Sequence, residues 1–541
     1  MKNKLFALLM CGAMAVSVLA GCGNTEAVQN SAEKSSVEEN SEEKESSVAS
    51  DSITDEPTEK TYDKLITFTS NGRGTIAGVD YTSKDDPFYK YVSEKFNIEI
   101  ENIVYPAADQ AGKVSLWANA GTLPDMTLFG DYNYSVLMEM ADQGLLQPLP
   151  EDWKEKWPNL AKMVEFTMLE EAMTIDGQLY AIPHASFGNY FDGTKSGGNT
   201  AMYIRKDWAE QIGMADIGDD LKITLSELKE YLQKIEEAGI LEDATLGSRN
   251  NFIGQVFLFA HGLDINQFAK RDNEFVWNFG VEGIKDAITE MQTWYQEGWL
   301  HPDYYTRTIE DFRNDFVSGV SAALFDAASP GVIEVNFDNY KTAFPDRDPF
   351  EDIQVLVVAA EDGTTYVNSA GNQYLATVFA PETDAETMER ILDVMDWTCS
   401  IEGQAAFELG VPEVDWTTDS EGNFVVLNPE FNSEFATSYK IMGYADDFSF
   451  CTTIVGKEQP YLEIAKPLYE LKAEGVVFPY QVEYNNHVSE AKSNYSLNNY
   501  NAIAGIVVGG GNVDTEWDKY MEENRNIWEP LLNELNETYC K

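Results

Sequence analysis

The residues of this chain that are able to do chemistry are plentiful, but they are not spaced for catalysis. The four histidines, at 184, 261, 301 and 487, show no HExxH spacing and no other metal-ligand pattern. No Gly-x-Ser-x-Gly, Walker A or Gly-x-Gly-x-x-Gly element occurs, and Asp346-Arg347-Asp348 lacks the remaining positions of an EF-hand loop. With 92 aspartates and glutamates, carboxylate pairs arise by chance, so no general acid–base pair is inferable. The expectation is a protein that is not an enzyme and that needs no cofactor or metal. What the chain does offer is binding chemistry. Aromatic and planar polar side chains fall together after expected strands: Asn71 and Arg73; Phe129, Asp131 and Tyr132; His184, Phe187 and Tyr190; Asp326; Tyr374; and Trp416. Aromatic faces stack on C–H surfaces and planar polar groups hydrogen-bond hydroxyls, and in α/β sheets the loops at carboxyl ends of strands present both. Each candidate has a structural alternative: a turn at Asn71-Gly72, core packing for Phe129, a structural hydrogen bond for His184. Tyr203, Arg205 and Trp208 are weaker candidates, because Arg205-Lys206-Asp207 is explained by ion pairing at a helix entry.

The elements that must position these residues follow from periodicity. Leu65–Thr69 reads as a strand, and Asp86-Pro87 as the N-cap and first position of a helix whose Phe88, Tyr91, Val92 and Phe96 share a face. Asn97 ends that helix, and Ile98, Ile100 and Val104 form a second strand, which predicts parallel pairing through a right-handed crossover. A helix near 109–120 stops at Gly121, and Leu123–Phe129 leads into a third strand and a turn at Gly130-Asp131. Later segments are mainly helical. Thr224-Leu225-Ser226-Glu227 is a capping box with Leu225, Leu228, Leu232 and Ile235 on one face. Ile284, Ala287, Ile288, Met291 and Tyr295 form another stripe, and Thr383–Glu386 caps a helix lined by Met388, Ile391, Leu392 and Met395. Ser318–Phe325 reads as a loop feeding a short buried strand. The fold class is α/β from the start of the body.

Lys2 and Lys4 precede an apolar run, Leu5–Val18, of signal-peptide length rather than membrane-span length. It ends in Leu19-Ala20-Gly21-Cys22, which resembles the bacterial lipobox. The resemblance implies a diacylglycerol thioether on Cys22, and two acyl chains anchor stably where one is marginal. Residues 24–60 hold 11 acidic and 3 basic side chains and no aromatic residue, so they bury too little apolar surface to offset ordering entropy and are expected to be a solvated linker. The whole chain has a net charge of −55, carried mostly by the body, which repels nucleic acid and weighs against polyanionic ligands. Cys399, Cys451 and Cys540 are too few and too scattered for a disulfide framework.

Six phrases in chain order carry a family resemblance: Ala120-Gly121-Thr122-Leu123-Pro124-Asp125; Leu145-Leu146-Gln147-Pro148-Leu149; Asp176-Gly177-Gln178-Leu179-Tyr180-Ala181-Ile182-Pro183; Tyr203-Ile204-Arg205-Lys206-Asp207-Trp208; Tyr295-Gln296-Glu297-Gly298-Trp299-Leu300-His301-Pro302-Asp303; and Glu516-Trp517-Asp518 before a terminal helix. Together they resemble the extracellular solute-binding proteins of family 1, the sugar-binding lipoproteins of ABC transporters, in the long Gram-positive branch. Leu409–Trp416 matches that family only loosely. The resemblance implies a periplasmic-binding-protein-like type II fold, with two α/β lobes and a hinged cleft. The expected boundaries are a signal peptide over 1–22, an acidic linker over 23–61, lobe 1 over 62–182 and 325–398, and lobe 2 over 183–324 and 399–541. It further implies a monomer on the extracellular face of the cell membrane that takes up a neutral oligosaccharide or glycoside and hands it to ABC permease subunits. The alternatives are a peptide or cationic solute, a surface sensor or adhesion role, and a surface glycoside hydrolase.

Overall fold

The computed structural model describes residues 60–72, 81–103, 110–129, 134–167, 169–185, 198–369, 373–439, 454–456 and 459–540. Cys22 and the linker up to Glu59 lie outside the described residues, as do Arg73, Asp131, Tyr132, Phe187 and Tyr190 and the side chain of Tyr374. In chain order, the strands that set the architecture are β1 (Ile66–Ser70), β2 (Ile98–Asn102), β3 (Met126–Phe129), β4 (Ile182–Ala185), β5 (Thr200–Arg205), β6 (Lys222–Ile223), β7 (Leu246–Gly247), β8 (Ala323–Ala327), β9 (Ile353–Val358), β10 (Tyr366–Asn368), β11 (Gln373–Phe379) and β12 (Val476–Phe478).

The opening unit forms for the reasons its sequence announces. The Asp86 carboxylate accepts the backbone N–H groups of Phe88 and Tyr89 at 2.9 and 3.1 Å, capping helix Pro87–Phe96, and Asn97 ends it with a φ of 48°. The chain then returns as β2, parallel to β1 from Ile66↔Ile98 to Ser70↔Asn102. The hairpin at Asp176-Gly177 has φ values of 51° and 81°, the left-handed pair that a two-residue turn needs, between the paired strands Thr174–Ile175 and Gln178–Leu179. The Thr224–Glu227 capping box is present with both of its reciprocal bonds. At the third cap the work is divided. Asp384 accepts from Glu386 and Thr387, while the Thr383 hydroxyl reaches the Asp125 carboxylate at 3.2 Å.

Two five-stranded sheets result. The first has the order β2-β1-β3-β11-β4, with β11 antiparallel to both neighbours; the second has the order β6-β9-β5-β8-β7, with β5 antiparallel to both of its neighbours. Each sheet has its own hydrophobic core. One draws on residues from Ile66 to Ala185 and from Leu375 to Ile454, the other on residues from Ala201 to Val358 and from Ala465 to Leu535.

This division corrects the boundaries expected at 325 and 399. β8 and β9 both pair with β5 in the second sheet, and the helices Ala385–Thr398 and Ile401–Leu409 pack in the first core. The chain therefore returns to the first lobe between Asn368 and Gln373, and leaves it again between Ile454 and Pro460. A buried apolar run such as Ala322–Phe325 announces a strand, but its pairing partner lies some 120 residues away and leaves no local trace.

Candidate functional site

On the first sheet, β1, β3 and β4 run out at the same edge at which β11 begins. The β1–β3 ladder stops at Ser70↔Met126, and Asn71 extends it with its side chain. The Asn71 amide donates to the Leu128 carbonyl at 2.9 Å and accepts the Leu128 N–H at 2.8 Å, with the residue 1 % exposed. It imitates a strand residue, and both of its polar atoms are used. Asn71→Ala leaves two buried backbone groups unpaired at about 1–3 kcal/mol each, so a stability loss of about 2–6 kcal/mol is expected in urea unfolding. A loss under about 1 kcal/mol would rule out the clamp.

The other described candidates on this lobe are structural in the same way. Phe129 is a core residue. His184 is buried, with Nε2 2.8 Å from the Thr377 hydroxyl, tying β4 to β11. Trp416 is buried, donates Nε1–H to the Gly410 carbonyl at 2.8 Å and meets Phe424 edge-on. In this conformation all four are buried: the structural alternatives hold for Phe129 and His184, while Asn71 is a side-chain clamp and not a turn. Asp125 of the Pro-Asp phrase has a similar role, accepting the Thr69 N–H and hydroxyl at 2.8 and 2.7 Å.

On the second sheet the short strand β7 ends at Gly247, opposite Leu324, while β8 runs on to Ala327. Asp326 lies within β8, opposite Ala201, and not just past a strand ending at Phe325, and it is 1 % exposed. Its carboxylate accepts from Arg313 Nε at 2.7 Å, from the Ala327 N–H at 2.7 Å and from Asn336 at 3.3 Å. It too organises the edge from below, by neutralising Arg313 and fixing the exit of β8. The exposed group here, Arg249, is one the sequence reading missed. The Arg249 guanidinium stands 3.9 Å from the centroid of the Phe252 ring, and Asn250 donates to the Asn501 side chain at 2.8 Å. Phe252 itself is buried beneath Arg249, so planar polar groups but no open aromatic face stand at this carboxyl edge. Its signal was faint because β7 is only two residues long.

The remaining chemistry-bearing groups are engaged locally. His261 is 2.7 Å from Glu290; His301 accepts the Asp303 N–H at 3.1 Å and faces Arg307; His487 lies beside Glu534 and Tyr539. Burial holds the pKa of His301 and His487 below the usual imidazole range. Arg347 spends itself on Asp207 and Asp352, and Asp348 caps a short helix through the Phe350 N–H. Among the described residues, no three His, Cys, Asp or Glu side chains gather as a metal site.

The sequence profile of the bacterial extracellular solute-binding proteins matches residues 88–394. No curated protein sequence gives a significant match. Solved structures do share the fold. The alginate-binding protein AlgQ2, solved without calcium ion, superposes with a TM-score of 0.66 at 15% identity over 90% of this chain and 100% of its own. An extracellular solute-binding protein from Bifidobacterium longum subsp. infantis gives 0.65 at 17% identity over 89% and 100%. The ABC-transporter substrate-binding protein FusA of Streptococcus pneumoniae, in complex with kestose, gives 0.63 at 18% identity over 88% and 98%. At these identities the likeness is one of fold.

Proposed function

The chain belongs to the bacterial extracellular solute-binding proteins, and from that premise we propose that it captures a neutral oligosaccharide or glycoside between its lobes for an ABC importer. The observation that carries the ligand class is the two-lobed likeness, over 88% of this chain, to proteins described in complex with kestose and with Man1GlcNAc. The exposed Arg249 and the half-buried Asn250, above the buried Phe252 ring, supply planar hydrogen-bonding groups of the kind a sugar needs. A ligand touching both lobes favours the closed form, and a ligand touching one does not. In the same reading Cys22 carries the lipid, the body stands off the outer face of the membrane on its acidic linker, and the closed monomer docks on the permeases without catalysing any reaction.

Thermal-shift titration of the full chain against kestose, alginate oligomers, N-glycan fragments, a peptide library and polyamines tests the ligand class. A fitting ligand at a hundredfold excess over its Kd adds about 2.7 kcal/mol of stability. Stabilisation by a peptide or polyamine and by no glycan would sink the sugar reading. The net charge of −55 favours that second outcome, a cationic solute, as the runner-up. Product release from a labelled glycan would instead point to a hydrolase.

A further inference from the structure

On the second-lobe side, the passages between lobes are sewn to one another. The Gly198 N–H, just before β5, donates to the Asn368 carbonyl at 2.8 Å, and the Ser369 N–H donates to the Phe478 carbonyl at 2.9 Å, continuing the parallel β10–β12 pairing. The Asn368 side chain in turn donates to Asp264 at 2.6 Å and accepts the Ile265 N–H at 3.1 Å. The approach leaves no room: a Cβ on Gly198 would lie 3.3 Å from the Asn368 carbonyl, and one on Gly475 would lie 1.9 Å from the Thr365 hydroxyl. Into this seam points Lys472, near the end of helix Pro460–Glu474, the first element after the last passage. It is 1 % exposed, and its Nζ donates to the Gly198 carbonyl at 2.9 Å.

Lys472 has no carboxylate partner among the described residues. Tyr469, on its own helix, brings its ring centroid within 5.2 Å of Nζ. β9 and β12, which pack against the helix, carry no charged residue, and β5 brings Tyr203 towards Tyr469. Glu334 and Asp338 of the neighbouring helix act on Tyr461, at the far end, and Asp264 lies beyond Asn368. Burial alone pushes the Lys472 pKa down to about 7. A methionine would fill this space without the cost of burying an amine. What it would not do is hold the Gly198 carbonyl.

We propose that Lys472 is a positioning residue for lobe closure: by gripping the Gly198 carbonyl it binds the first passage, and through Gly198 and Asn368 the second, to the helix that follows the third. The described ends of the first two passages, Gly198 and Ser369, are then fixed to the second lobe. The proposal rests on the reading that the lobes close on a solute. A softer seam lowers the fraction of binding-competent molecules, and apparent affinity falls with that fraction although no lining residue changes.

Hydrogen exchange on the full chain, without ligand, tests the seam. In Lys472→Met, the amides of Gly198, Asn199 and Thr200 are expected to exchange at least tenfold faster, while those of helix Leu225–Glu237 exchange no faster. The wild type supplies an arm that needs no variant. An ammonium donates a stronger hydrogen bond than an amine, so exchange at Gly198, corrected for its intrinsic pH dependence, should rise between pH 6 and pH 8.5. In the variant that profile is flat. Small-angle scattering of the variant without ligand should show a shifted radius of gyration. Unchanged exchange at Gly198 in the variant, or a flat profile in the wild type, overturns the proposal. Because neither arm uses a ligand, a chain that shows both shifts but binds no solute refutes the capture reading and leaves the seam standing. A chain that binds kestose without these shifts does the reverse.

Discussion

Arg205→Ala is expected to cost about 3–5 kcal/mol of stability, the loss that follows when one member of a buried ion pair is removed. Arg205 is 2 % exposed at the end of β5. Its Nε and one terminal nitrogen each meet an Asp207 oxygen at 2.8 Å, a bidentate pair. Its guanidinium lies 4.3 Å from the Trp208 ring centroid and 4.9 Å from that of Tyr340. Asp207 is shared with Arg347 at 2.7 Å, and Arg347 and the Tyr340 hydroxyl both reach Asp352, at 2.6 and 2.8 Å. Removing Arg205 strips Asp207 of its bidentate partner and opens a cavity against two aromatic rings. The double change Arg205→Met with Asp207→Leu should recover most of the loss, because no buried charge is then left unpaired. Urea midpoints of the three proteins decide the matter, and a single-mutant loss below about 1 kcal/mol would mean that the network is ornamental.

The second large effect is a dependence of stability on pH through Lys472. Its folded pKa of about 7 lies below the usual lysine value of 10.5. Between those values the unfolded chain holds a proton that the folded chain has released, so stability must rise with pH across the window and be lost as pH falls through 7. At about 1.36 kcal/mol per pH unit, the full span is on the order of 5 kcal/mol. Other groups titrate in the same range. Lys492 is one, its pKa pushed down by burial to about 8, so the informative quantity is wild type minus Lys472→Met. At pH 7 the variant should be the more stable protein by about 2–3 kcal/mol, the relief from amine burial less one lost hydrogen bond. By pH 10 that advantage should have gone. Parallel stability curves for the two proteins would contradict the assignment. A variant that is globally firmer but looser at Gly198 would be a trade of stability for function.

The helix caps, the turn and the opening crossover were legible because their causes are local. Asp86 reaches N–H groups two and three residues on, Thr224 and Glu227 satisfy each other, and Asp176-Gly177 adopts left-handed angles that few other residue pairs accept. The family phrases were legible as patterns, but their physical roles were not. Asp125 binds Thr69, 56 residues away, and Thr383, 258 residues away. The candidate site was the least legible part. Asn71, Phe129, His184, Asp326 and Trp416 have the residue types of a binding surface, yet all five are buried. Residue type states what a side chain is able to bind. Whether it faces solvent or a strand 57 residues on is settled by packing.

The amino-acid order by itself determined the α/β character, the positions of caps and turns, the acidic field and the family, all of which depend on contacts within a few residues or on summed composition. Tertiary structure alone decided that β8 and β9 join β5, that Arg249 and not Asp326 is exposed at its edge, and that Lys472 reaches Gly198 across 274 residues. The physical reason is range. Local hydrogen bonds carry their signal in adjacent residues, whereas partners brought together by burial are selected by the shape of the whole core.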